Sequence, residues 1–70
     1  MTKEQALQLA RECSAIIPAD LTQQTDIFAM PYRPLGWVVR FETGTRRTTF
    51  AELMPAENAL AVHKRSLGEQ

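Results

Sequence analysis

Cysteine and histidine are nearly absent from this sequence: Cys13 and His63 are the only examples of each. A lone cysteine excludes an internal disulfide, and one histidine leaves too few soft ligands for a structural zinc. Glycine is also scarce. Gly36, Gly44 and Gly68 lie far apart, so no glycine-rich loop is available to cradle a phosphate. Ser14 and Ser66 have no neighbouring base in the sequence. Long apolar runs are missing too: residues 1–17 are broken by Lys3, Glu4, Arg11 and Glu12, and no stretch approaches the ~20 apolar residues of a membrane span. Nothing at the N-terminus resembles a signal peptide. The 8 Lys+Arg and 8 Asp+Glu cancel, so the basic excess of a general nucleic-acid binder is lacking.

These absences exclude more than they assign. The 70 residues suffice for one domain with one core. A core of that size leaves little room for a ligand pocket and buries only roughly 60% of the unfolded chain's surface. The expectations are a non-enzymatic domain with no cofactor, no metal and no membrane segment. A lone cysteine fits a reducing compartment, which makes the cytoplasm the expected location.

The N-terminal stretch carries the strongest local pattern. Thr2 followed by Gln5 is a capping-box pair. Ala6, Leu9, Ala10, Cys13, Ile16 and Ile17 recur at the spacing of one helix face, with Lys3, Glu4, Gln8, Arg11 and Glu12 opposite. Pro18 disfavours helical geometry at Ile17, so a helix over residues 2–17 is predicted. Residues 18–25 read as polar connection.

Ile27 to Tyr32 then reads as a strand, with Phe28, Met30 and Tyr32 on one side and Ile27 and Ala29 on the other. Pro31 cannot donate to a ladder, which suggests an edge strand or an early end. Arg33-Pro34-Leu35-Gly36 is turn chemistry. In Trp37-Val38-Val39-Arg40-Phe41-Glu42, Trp37, Val39 and Phe41 alternate with a mixed face. The economical arrangement is a hairpin with the N-terminal helix across Trp37, Val39 and Phe41. The fold class expected is α+β, a helix packed on a small antiparallel sheet. After the turn at Thr43-Gly44-Thr45, Arg47 to Leu53 suits either a strand or one helical turn. Pro55 to Gly68 is also divided. Its capping signals and the shared face of Ala56, Ala59, Leu60, His63 and Leu67 favour a helix. The alternation of Leu60, Val62 and Lys64 with Ala61 and His63 favours a strand.

Gly36-Trp37-Val38-Val39-Arg40-Phe41, then Asn58-Ala59-Leu60-Ala61-Val62-His63-Lys64, then Ser66 and Gly68-Glu69 follow one another in an order that resembles the YrhB-like small bacterial immunity-protein family. Glu57 and Leu60 stand where that family usually shows a glycine before the asparagine and a proline two residues after it. The resemblance implies a C-terminal strand in place of the helix, and a further strand for which no residues follow Gln70. A sheet short of a strand exposes an edge that invites another chain, so a homodimer through that edge is one expectation. The function the resemblance implies is binding to a toxin or enzyme as an immunity or inhibitor protein.

Individual side chains add modest signals. Cys13 lies on the apolar helix face, where cysteine acts as a small hydrophobe. His63, with no second histidine at ligand spacing, reads as a surface or half-buried residue. Arg46-Arg47-Thr48-Thr49 is a basic, hydroxyl-bearing loop suited to phosphate or acidic side chains, or simply to solvent. Tyr32, Arg33, Trp37 and Arg40 gather around the hairpin and are residue types common at binding hot spots. Trp37 and Phe41 suit the core better. The candidate partner-binding residues are therefore Tyr32, Arg33, Arg40, Arg46 and Arg47. A non-catalytic protein-binding module is the leading expectation. The alternatives are a small nucleic-acid-associated protein using the arginines and a homo-oligomeric structural protein.

Overall fold

The computed structural model describes residues 1–22 and 24–68. Helix α1 spans Lys3–Ile16, the short α2 Ala19–Thr22, and strands β1, β2 and β3 span Thr25–Tyr32, Gly36–Thr43 and Arg46–Phe50. Helix α3, Ala56–Gly68, follows. This is an α+β fold, as the patterning predicts.

The ends of α1 form for local reasons. The Gln5 backbone N–H donates to the Thr2 hydroxyl at 3.2 Å, and the Thr2 N–H donates to the Gln5 side chain at 2.9 Å. Two otherwise orphaned donors are thus satisfied. At the other end Ile17 adopts φ −58°, ψ 130°, the extended geometry that a following proline imposes. The segment read as plain polar connection holds α2 instead. The Pro18 carbonyl accepts from Leu21 N–H at 3.0 Å and Thr22 N–H at 3.1 Å, while Leu21 becomes buried. Pro18 therefore ends one helix and seeds a separate turn.

The sheet is antiparallel in the order β1-β2-β3. Its register sets Ile27 opposite Phe41, Ala29 opposite Val39 and Pro31 opposite Trp37. β1 is an edge strand, where Pro31 is tolerated. A cis Arg33–Pro34 bond lies in the connection to β2. The β2–β3 turn has Gly44 at φ 59° and no positive φ at Thr45, the signature of a type II′ hairpin turn. The alternatives left open at Arg47 to Leu53 resolve as a strand that ends at Phe50, with Phe50 paired to Val39 and Thr48 to Phe41, while residues 51–53 form no regular element.

The C-terminal segment is a helix, not the strand that the family resemblance implies. Burial explains why: Ala56, Ala59, Leu60 and His63 are all buried along one helical face. A strand would put Leu60 and Val62 on one side, yet Leu60 is 6% exposed and Val62 43%. α1 covers β1 and β2, and α3 packs beside it against β3. The small residues Ala6, Ala10, Cys13, Ala56 and Ala59 belong to one core with Leu9, Val39, Phe41, Phe50 and Leu60. Phe41 and Phe50 meet edge-to-face with centroids 5.2 Å apart. Trp37 is only partly buried, with the Lys3 ammonium 5.7 Å from its ring centre.

Candidate functional site

The helices cover one face of the sheet. Antiparallel partners point to the same side, so the register assigns every strand residue to a face. Ile27, Ala29, Trp37, Val39, Phe41 and Phe50 lie under α1 and α3. The opposite face carries Asp26, Phe28, Met30 and Tyr32 from β1, Val38, Arg40 and Glu42 from β2, and Arg47 and Thr49 from β3. Neither long helix crosses it. Phe28 and Tyr32 remain 36% and 42% exposed, whereas Val38 is fully buried.

Arg40 stands in the middle of this uncovered face, opposite Phe28 on one side and Thr49 on the other. Its Nε is buried and has no hydrogen-bond partner among the described residues. Its neighbour Arg47 reaches the Glu42 carboxylate at 3.9 Å. A buried guanidinium donor without an acceptor costs free energy, part of which a side-chain movement bringing it to an incoming acceptor would recover.

Of the five residues singled out from the sequence, three share this face: Tyr32, Arg40 and Arg47. Arg33 occupies the exposed β1–β2 turn. Arg46 pairs with Thr43, and that pair belongs to the helix-covered side of the register. Phe28, Met30 and Val38 were not singled out, although their alternation with Ile27, Ala29 and Val39 carries the signal.

His63 corrects the sequence reading. It is fully buried rather than at or near the surface. One ring nitrogen, Nε2, lies 2.8 Å from the Thr43 hydroxyl, and Nδ1 lies 2.8 Å from the Thr48 hydroxyl. Thr43 in turn meets the Thr25 hydroxyl at 2.9 Å. Either neutral tautomer fits, because each hydroxyl can donate or accept. Burial lowers the imidazole pKa below its ordinary 6.5. With Phe41 packed at 5.2 Å, the ring is a polar bolt joining α3 to all three strands.

Cys13 is buried as its place on the helix face predicts, with Sγ 3.9 Å from the Ala56 carbonyl. Burial, reinforced by Glu12 and Glu57, pushes its thiol up to about 11. That environment suits packing, not nucleophilic attack. Among the described residues no cluster of three or more His, Cys, Asp or Glu is placed to hold a metal. No described helix is long and apolar enough to cross a membrane. A groove of about 600 Å³ runs between α1 and the segment before α3 and is rimmed by Glu4 and Glu12. A second groove, about 430 Å³, lies between α1 and the edge strand β1. Compared with family models, curated proteins and solved structures, the chain gives no match in any of the three.

Proposed function

We propose that this domain is a non-catalytic protein-binding module that engages its partner through the uncovered sheet face. The observation that carries this reading is Arg40, half-buried between Phe28 and Thr49 with a guanidinium donor unmet among the described residues. Binding hot spots combine aromatic side chains and arginine in partly desolvated surroundings. The residues we assign to contact are Tyr32, Arg33, Arg40 and Arg47, with Phe28 and Met30 added; Arg46 borders the region at the turn. The partner we infer is an acidic protein surface. Its class, in line with the resemblance to small immunity proteins, is a toxin or enzyme that the domain holds inactive in the cytoplasm.

A nucleic-acid role has weaker support. Asp26 and Glu42 share the face with the arginines, and Glu42 engages Arg47. The test is affinity capture with the wild-type chain beside a Tyr32→Ala/Arg40→Glu variant whose fold is checked by circular dichroism. A specific protein retained by the first and lost by the second is the expected result. Recovery of the same proteins by both, or of nucleic acid in a salt-sensitive manner, contradicts the proposal.

A further inference from the structure

The edge of β1 has a defined hydrogen-bonding parity. The Trp37 N–H donates to the Met1 carbonyl at 3.3 Å, so it points away from β1. Residues two apart on a strand direct their backbone groups to the same side. Trp37, Val39, Phe41 and Thr43 therefore face away from β1, and the tight turn closed by the Thr43–Arg46 pair requires the same. It follows that Asp26, Phe28, Met30 and Tyr32 bond to β2. The N–H groups of Thr25, Ile27 and Ala29, and the carbonyls of these residues and Pro31, point outward along an edge with no strand partner among the described residues.

Each face of the sheet near this edge carries an arginine. On the helix side the edge borders the groove lined by Leu7, Ala10, Arg11, Ser14, Ile27 and Ala29, with Phe28 at its margin. On the other face stands Arg40, one strand in from the edge and opposite Phe28. The ion pairs among the described residues are Arg47–Glu42 and Lys64–Asp20, so neither of these two arginines has an acid among them. Leu7 and Phe28, 38% and 36% exposed, give the same strip apolar surface above and below the sheet plane.

Resting on the protein-binding reading, we infer that β1 accepts an extended acidic segment of the partner as a fourth strand. Main-chain bonds to Thr25, Ile27 and Ala29 supply its attachment. One carboxylate meets Arg11 on the helix side and another meets Arg40 on the uncovered face. Neighbouring residues of a strand point to opposite faces, so the two acids stand an odd number of positions apart, with apolar residues against Leu7 and Phe28. Asp26 disfavours an acid at its own end and draws the acidic portion toward Arg40 and the hairpin. A second copy of this chain is a poorer occupant. Its own β1 would present Ile27, Ala29 and Pro31 on the helix side, offering no carboxylate to Arg11.

The test uses the full chain and a synthetic peptide as long as β1, composed of valine and threonine with two glutamates at odd spacing. Binding is expected to slow hydrogen exchange at the Thr25, Ile27 and Ala29 amides, with Asp26, Phe28 and Met30 already slow beforehand. Arg11→Glu or Arg40→Glu should each weaken binding about tenfold. N-methylation of the peptide amides that face β1 should abolish it. Equal binding of a lysine-substituted peptide, or no protection of Ile27 and Ala29, overturns the inference. Protection that grows with protein concentration alone overturns it too, since a second copy then holds the edge. An Ala29→Pro variant, which removes an outward donor, separates this from the broader reading. If it keeps a partner that Tyr32→Ala/Arg40→Glu loses, protein binding stands and strand addition falls.

Discussion

His63 is held between two hydroxyls, and burial alone accounts for its lowered pKa. The folded state thus resists protonation at a pH where the unfolded chain, near the ordinary 6.5, accepts it. Its contribution to stability is complete above 6.5 and declines as the pH falls through the lower folded value. Urea midpoints measured on either side of 6.5 should show that decline in the wild type. They should not show it in His63→Gln, which keeps a polar side chain without titrating. An equal decline in both proteins assigns the effect to other groups. Cys13 gives a companion expectation. With its thiol at about 11, only on the order of one molecule in a thousand is thiolate at pH 8, and the sulfur is buried. A thiol-directed reagent should modify the denatured chain fully and the native chain hardly at all; rapid native labelling would contradict the burial. Of these two residues the sequence disclosed one. Cys13 sits in an apolar series that shows at a glance. His63 also falls in a helical series, but its hydroxyl partners lie 20 and 15 positions away on two strands, a distance over which no local pattern reaches.

Element by element, legibility follows how local the deciding interaction is. α1 is written in neighbouring residues: Thr2 and Gln5 start it, the spacing of Ala6 to Cys13 orients it, and Pro18 ends it. β2 is equally plain, because its alternation survives in a strand helix-covered on one face only. α3 was ambiguous because Leu60, Val62 and Lys64 satisfy a period of two while Ala56, Ala59, Leu60 and His63 satisfy one of 3.6. Packing against α1 and β3 decides it, and that surface exists only after the chain has folded. α2 has no signature in the sequence, since a single turn has no periodicity to read. The β2–β3 turn offers a direct check on the elements it joins. Gly44 has φ 59°, and a Cβ there would meet nothing within 4 Å, so any penalty is conformational rather than steric crowding. Gly44→Ala should cost about 1–2 kcal/mol, lowering the thermal midpoint by several degrees for a domain this small. Gly44→Asn should cost less, because asparagine tolerates that region better. Equal losses for the two would contradict the conformational account.

For the molecule as a whole, folding and recognition draw on different forces. The core is apolar apart from His63 and its hydroxyls. The two ion pairs seen among the described residues join partly or largely exposed side chains at 3.9 and 3.4 Å, and such contacts contribute about 0–1 kcal/mol each. The opposing charges balance at 8 and 8, so salt has no net self-repulsion to relieve. Raising sodium chloride from about 0.05 to 0.5 M should therefore change unfolding stability by less than about 1 kcal/mol. Partner capture should behave otherwise, because the proposed contacts pair Arg40 and Arg11 with carboxylates whose attraction is screened over that range. Urea denaturation and affinity capture at the same salt concentrations test both halves together. If capture and stability fall in parallel, loss of binding reflects unfolding and says nothing about the surface. If capture persists undiminished at high salt, the arginines do not carry recognition, and Phe28, Met30 and Tyr32 must do so through apolar contact alone.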